Sequence, residues 1–202
     1  MPDSLRSQKI FAVVLAAGKA SRFGSTKQLA MWGDKTLVSH ALRRADDCRA
    51  DHAVVVLGHD RLNVAAAIAD QAGFRIVNED YETGMGGSIA AAVKQLRDIA
   101  DAVLITLADQ PQIDTGHLDA VIDQWDGTEN AIVATQSEDR TIAPALFARG
   151  AFNDLCALDG DRGAQKLFSD RRFAVSEVTF EDAQFDIDTP EDLSRLWRNV
   201  RS

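Results

Sequence analysis

The sequence predicts a three-layer α/β/α fold around a mainly parallel mixed sheet, and three observations carry that expectation. Short β-rich apolar runs alternate with segments whose apolar residues recur at helical spacing, the pattern of parallel strands joined by right-handed crossovers. The first run, Ile10 to Leu15, leads straight into a glycine loop. The chain has 202 residues, 46% of them hydrophobic, which suits one full core and is too short for two. Residues 1–9 are therefore expected to be a flexible N-terminus and residues 10–200 a single domain.

Taken in order, Ile10–Leu15 reads as a buried strand. Gln28 to Trp32 is expected to be a short extended piece, turned at Gly33-Asp34. Thr36 is placed to cap a helix whose apolar face is Leu37, Ala41, Leu42 and Ala45. Ala53–Leu57 is a second strand, ended by Gly58, and Leu62, Ala65, Ala66 and Ala69 are expected to line the inner face of the next helix. Phe74–Val77 is a third strand. Three glycines, Gly84, Gly86 and Gly87, then precede a helix carrying Ile89, Val93, Leu96 and Ala100. Ala102–Leu107 is the fourth strand, with Asp109 just past its C-terminal end, where open α/β sheets bind ligands. Asp114-Thr115 is a cap for a helix turning Leu118, Val121, Ile122 and Trp125 inward. Asn130–Thr135, Ile142–Phe147 and Phe173–Val178 are further strands, and Pro144 points to an edge or a bulge. Asp188 or Thr189 caps the last helix, whose apolar face is Leu193, Leu196, Trp197 and Val200.

Composition excludes several functions. The net charge of −9 argues against nucleic-acid binding, which needs a basic footprint. No apolar run reaches the ~18 residues of a membrane span, and the start lacks the apolar core of a secretory signal. Cys48 and Cys156 match no metal or disulfide framework, so reduced thiols in the cytoplasm are expected. The four histidines are scattered without metal-ligand spacing.

Against that acidic background, no Asp or Glu occurs from Ser4 to Gly33, while Lys19, Arg22 and Lys27 fall in the loop framed by Gly18 and Gly24. A cationic glycine loop at a strand end suits a triphosphate, held by main-chain N–H groups and point charges. A solvated basic turn accounts for the same residues, and on either reading the loop cations, Lys27 among them, are expected to face solvent. Neither common phosphate loop fits: Gln28 follows Lys27 where a P-loop needs Ser or Thr, and Lys19-Ala20 breaks the dinucleotide fingerprint.

What remains, Leu-x-x-Gly-x-x-x-Arg-x-Gly-x-x-Lys from Leu15 to Lys27, resembles the signature of nucleotidyltransferases that build nucleotide diphosphate derivatives. Leu107-Ala108-Asp109-Gln110-Pro111 and Asp186-Ile187-Asp188-Thr189-Pro190 follow in the expected order, and the likeness is closest to the MobA-like family, on its molybdopterin cytidylyltransferase side. The resemblance implies a Rossmann-like nucleotidyltransferase fold and transfer of CMP from CTP to a phosphorylated acceptor, releasing pyrophosphate. It implies molybdopterin as acceptor, a place in molybdenum cofactor biosynthesis, and hand-over of product to a molybdoenzyme or chaperone. Residue by residue, it implies nucleotide contacts from Leu15, Ala16, Ala17, Gly18, Asn78, Gly84 and Ser88. The same resemblance adds Arg22 and Lys27 to the nucleotide contacts, assigns catalysis to Arg22, Lys27 and Asp109, and implies Mg²⁺ held by Asp109 and Asp188. Arg162, in the Gly160–Ala164 loop, is a candidate for the acceptor phosphate or an ordinary surface arginine.

Two departures stand out. Ala20 replaces a Ser of many relatives, and Ile142-Ala143-Pro144 lacks the His that cytidylyl relatives carry before the proline. The second leaves open a cytidylyltransferase for another acceptor, as in isoprenoid precursor synthesis. A glycosyltransferase of related fold stays open through the Asp-x-Asp of Asp186 and Asp188, as does a non-catalytic nucleotide-binding protein.

Overall fold

The structure is a computed structural model that describes residues 8–200. Its frame is a seven-stranded sheet with the order β5-β4-β1-β6-β8-β7-β9. These strands are β1 (Ile10–Ala16), β4 (His52–Leu57), β5 (Phe74–Val77), β6 (Ala102–Leu107), β7 (Ala131–Ser137), β8 (Arg140–Ala148) and β9 (Ala174–Thr179). All neighbouring pairs are parallel except the two made by β8, which runs against both β6 and β7. A two-stranded hairpin, β2 (Met31–Trp32) with β3 (Lys35–Thr36), stands apart. The expected mainly parallel mixed sheet is thus present.

The period-two alternation of β1 divides the core. Phe11, Val13 and Leu15 pack with α3 (Met85–Leu96) and α5 (Phe152–Cys156) on one face. Ile10, Ala12, Val14 and Ala16 pack on the other with α1 (Leu37–Asp47), α2 (Arg61–Ala67) and α4 (Thr115–Asp123). All seven β1 residues are buried, as a central strand covered on both faces requires. The chain winds outward from β1 through β4 to β5, then returns to β6 on the far side of β1. That reversal opens a crevice at the C-terminal ends of β1 and β6, where ligands bind in such sheets.

Several expectations change in detail. Thr36 does cap α1, accepting from the Ser39 N–H, and Asp114 caps α4 in the same way through His117. In α2 Val64 is fully buried and Ala65 packs on the core as expected, but Leu62 is 79% exposed and Ile68, just past the helix end, is buried; two turns of helix are too short for an alanine-rich pattern to set the face. Gly86 and Gly87 lie inside the first turn of α3 rather than before it, and Ala100 lies beyond its end. Gln28 belongs to a 3-10 turn, Lys27–Leu29, that precedes the hairpin. Pro144 marks a bulge, where the β7–β8 register shifts, but β8 is not an edge. Residues 1–7 of the expected flexible N-terminus and the side chain of Val200 lie outside the described residues. Gln8 and Lys9 are held, to the Gly127 carbonyl at 3.0 Å and the Asp101 carboxylate at 2.8 Å. Among the described residues no helix is long and apolar enough to cross a membrane, and both cysteines are free.

Candidate active site

A cleft of about 430 Å³ occupies the crevice. Leu15, Ala17 and Gly18 line it from the end of β1, Lys27 from the loop, Gly84 and Ser88 from the entry to α3, and Asp109 from the end of β6. Ala16 is turned away into the opposite core face by the strand alternation. Asn78 is buried and donates from Nδ2 to Ser88 Oγ at 3.1 Å, so it orients a cleft residue without lining the cleft. Arg22 and Asp188 stand outside the lining and join it through ion pairs.

Lys27 is the electrostatic centre. Its Nζ donates to Asp109 Oδ2 at 2.6 Å and to Asp188 Oδ1 at 3.1 Å. Arg22 reaches the other oxygen of Asp188 at 2.8 Å. Lys27 is 8% exposed, so the expectation of a water-facing loop cation is wrong: two carboxylates from distant segments draw the ammonium inward. Burial alone lowers its pKa, but the charge and hydrogen bonds of Asp109 and Asp188 outweigh this and raise it above the ordinary lysine value. It is a cation throughout the neutral range.

Asp188 is free for this role because Thr189 is the helix cap. In α6 (Pro190–Val200), Asp192 Oδ2 accepts from the Thr189 N–H at 2.9 Å, and Thr189 Oγ1 accepts from the Asp192 N–H at 3.2 Å. This is a capping box with Asp in the reaching position. Asp186 faces a different neighbour, accepting from Gln110 Nε2 at 2.9 Å. Crowding by protein atoms, then the negative charge of Asp109, push its pKa up to about 6, against the hydrogen bond from Gln110 and the charge of Lys27.

The glycines before Ser88 are explained in part by the chain itself. Gly84 has φ +95°, and a Cβ there would lie 2.6 Å from the Gly160 carbonyl oxygen; one at Gly86 would meet the Asp159 backbone at 2.6 Å. The Gly86 N–H donates to that Gly160 carbonyl at 2.8 Å. The 84–88 segment therefore docks on the 158–164 loop, which brings Asp161 into the cleft wall. Sequence reasoning missed Asp161, Tyr81 and Gln28 as cleft residues. Gln28 carried a signal as the neighbour of Lys27, and Asp161 as a member of the Gly160–Ala164 loop; the Gln28 Nε2 donates to the Gly18 carbonyl at 2.7 Å and ties the loop back to its own start.

The sequence profile of the MobA-like NTP transferase domain matches residues 12–176. The chain belongs to the MobA-like NTP transferase family. This transferase is 30% identical to the purine catabolism protein PucB of Bacillus subtilis, over 96% of this chain and 98% of that protein. It is also similar to the crystal structure of Rv0371c from Mycobacterium tuberculosis, at 32% identity and a TM-score of 0.86, covering 96% of this chain and all of that one. A structure of Rv0371c in complex with manganese aligns at 31% identity and a TM-score of 0.81, again over 96% of this chain and 100% of that one.

The donor set suits a hard divalent cation. Asp109 Oδ1 is a buried carboxylate oxygen with no hydrogen-bond partner, and Asp188 lies within reach of the same ammonium. Mg²⁺ is commonly held by about one or two carboxylates plus substrate phosphates, which is what Asp109 and Asp188 offer.

Proposed function

We propose that the chain transfers CMP from CTP to a phosphorylated acceptor, with molybdopterin as that acceptor and the cytoplasm as its site of action. The observation that carries the reading is the convergence of Lys27, Asp109 and Asp188 at one end of a cleft floored by the glycine loop. An oxygen of the acceptor phosphate bonds to the α-phosphorus of CTP. The bond from that phosphorus to the bridging oxygen breaks, and its electron pair leaves with pyrophosphate. A phosphate monoester, with a second pKa of about 6, is already ionised at neutral pH, so no general base is required. Positioning and charge neutralisation are then the whole of catalysis. Lys27 and Arg22 neutralise the triphosphate and the departing pyrophosphate. A divalent cation held by Asp109 and Asp188 supplies Lewis-acid neutralisation of phosphate oxygens when bound.

The preference for CTP rests on Ala17. It is 3% exposed and lines the cleft, and Gly58 backs it so closely that a Cβ there would come within 2.8 Å of the Ala17 Cβ. The Ala17 methyl narrows the slot offered to the base, which favours a pyrimidine over a purine. Discrimination of ten- to a hundredfold, about 1.4–2.8 kcal/mol, is within reach of such a filter. The test is pyrophosphate release with each triphosphate, with and without molybdopterin, in the wild type and in Ala17→Gly. CTP is expected to lead, and Ala17→Gly to relax the preference. Equal use of GTP by the wild type defeats the cytidylyl assignment, and release that does not need molybdopterin defeats the acceptor.

A further inference from the structure

The loop that carries Lys19, Arg22 and Lys27 is held to the fold by few bonds. Among the described residues, two polar side-chain contacts tie the 18–26 stretch to a distant segment. One is the ion pair of Arg22 with Asp188 at 2.8 Å. The other is Thr26, whose Oγ1 donates to Asp60 Oδ2 at 2.6 Å. The Gln28 bond to the Gly18 carbonyl only closes the loop on itself. Phe23 adds an apolar contact with the cluster of Trp32, Leu37, Ile187 and Leu196.

The two polar contacts differ once a triphosphate enters. Arg22 and Lys27 are the groups offered to its phosphates, so their bonds to carboxylates are shared with the ligand. Thr26 and Asp60 do not line the cleft, and nothing that enters it competes for the bond between them. Thr26 directly precedes Lys27 and stands at the N-cap of the Lys27–Leu29 turn. Fixing Thr26 therefore fixes the backbone from which the Lys27 side chain projects.

Asp60 gives up an ordinary role to make this bond. It stands at the N-cap of α2, where aspartate usually sits in extended backbone and accepts from the first helical turn. Here its φ is +53°, in the left-handed region, and its side chain accepts no capping bond. Its other oxygen accepts from Asn63 Nδ2 at 2.7 Å. The neighbouring His59 N–H donates to the Ala17 carbonyl at 3.0 Å, which sets Asp60 beside the start of the loop. The hydrogen bond from Thr26 holds the Asp60 carboxyl below the ordinary aspartate value, so it accepts as an anion at neutral pH. A left-handed backbone with the cap forgone points to a use for that carboxylate outside the helix.

We infer that Asp60 is a positioning residue for nucleotidyl transfer: it tethers Thr26 and so holds the triphosphate loop in its binding shape while Arg22 and Lys27 turn to the phosphates. The inference rests on the nucleotidyl-transfer reading for the occupant of the cleft.

Titration calorimetry of the full chain with CTP and with inorganic tripolyphosphate tests this. Asp60→Gly removes the carboxylate and keeps a left-handed backbone that glycine adopts without strain, so the melting temperature is expected to stay near that of the wild type. Loss of an anion beside the loop would, by charge alone, tighten the binding of another anion. Loss of a tether does the opposite, and both probes are expected to bind about tenfold more weakly. Thr26→Val keeps the shape, removes the hydroxyl and should give the same loss. The double variant should lose no more than either single one, because both remove one interaction. Asp60→Asn and Thr26→Ser keep a hydrogen-bonding pair and should bind as the wild type does. Unchanged or tighter binding by Asp60→Gly, a loss that Thr26→Val does not share, or losses that add in the double variant overturn the tether and leave the cleft reading standing. If Asp60→Gly does not fold, Thr26→Val and Thr26→Ser decide, and equal binding by these two overturns the tether. A wild type that binds neither probe brings down the cleft reading and the tether with it.

Discussion

Lys27 does two jobs with one ammonium. It presents a cation to the cleft, and it neutralises two carboxylates that would otherwise repel each other. Lys27→Ala is expected to reduce turnover at least about tenfold, since a charge-assisted contact is worth ~1.5–3 kcal/mol. It should also lower the melting temperature, because Asp109 and Asp188 lose their shared partner. The loss should be about 1–3 kcal/mol, less than the 3–5 of a fully buried pair, as both carboxylates keep some contact with water. Steady-state kinetics and thermal unfolding of the same variant check both parts; unchanged turnover would remove Lys27 from the site. Asp109→Asn and Asp188→Asn remove hard oxygen charge and leave size untouched. Each is expected to raise the Mg²⁺ concentration for half-maximal activity about tenfold or more. Full activity of the wild type in excess chelator would sink the shared metal site.

At the scale of elements, α6 matters because the metal-binding candidate Asp188 immediately precedes its cap. The capping box assigns Thr189 to the helix and leaves Asp188 to Lys27 and Arg22. Thr189→Ala should cost about 1 kcal/mol, as N-cap truncations do. It should also loosen Asp188, so turnover should fall with the melting temperature. Thr36→Ala, at the cap of α1, is the control: a similar stability loss is expected with turnover at saturating substrate retained. If Thr189→Ala loses stability but keeps full turnover, the cap does not position Asp188. The Asp-Thr-Pro-Glu-Asp run was legible as a helix start. It left Asp188 and Thr189 as alternatives because both residue types cap equally well. The separation needed Lys27, which approaches from 161 residues away in the chain. The face of α2 was misread for a related reason: in a helix of seven residues, position against the sheet decides burial more than composition does.

At the scale of the molecule, His117 joins three elements. It sits in α4, and its Nε2 meets Thr135 Oγ1 of β7 at 2.7 Å; that hydroxyl donates to the Pro144 carbonyl at the β8 bulge, also at 2.7 Å. The Phe180 ring lies 4.5 Å away, centroid to centroid. Burial lowers the pKa of His117 below 6.5, with Asp114 offsetting part of the shift. A histidine whose folded-state pKa is depressed stabilises the fold fully above its unfolded value and loses that contribution as pH falls below 6.5 and through the folded value. The wild type should therefore melt lower at a pH of about 5.5 than at about 7.5, and His117→Gln should narrow that difference. An equal difference in both proteins would clear His117 as its source.

The local pattern of the chain sufficed for the alternation of strands and helices, the parallel winding, the caps at Thr36 and Asp114, and the cationic loop after β1. Each is a short-range signal: period two, period 3.6, a capping side chain, or an acid-free run. Three separated motifs likewise contained Lys27, Asp109 and Asp188. Their contact, and the burial of Lys27 that follows from it, depended on β1 and β6 lying side by side with Ile187 bonded to the Asp109 carbonyl. The Gly160–Ala164 loop stood out in the sequence, but the place of Asp161 in the cleft wall had no local signal. It is there because Gly84 and Gly86 let the backbone approach the 158–164 loop to within a hydrogen bond. Spacing along the chain reveals which residues can form an element. Which residues meet across elements is set by the packing of the two core faces, and most of the site's geometry belongs to that second kind.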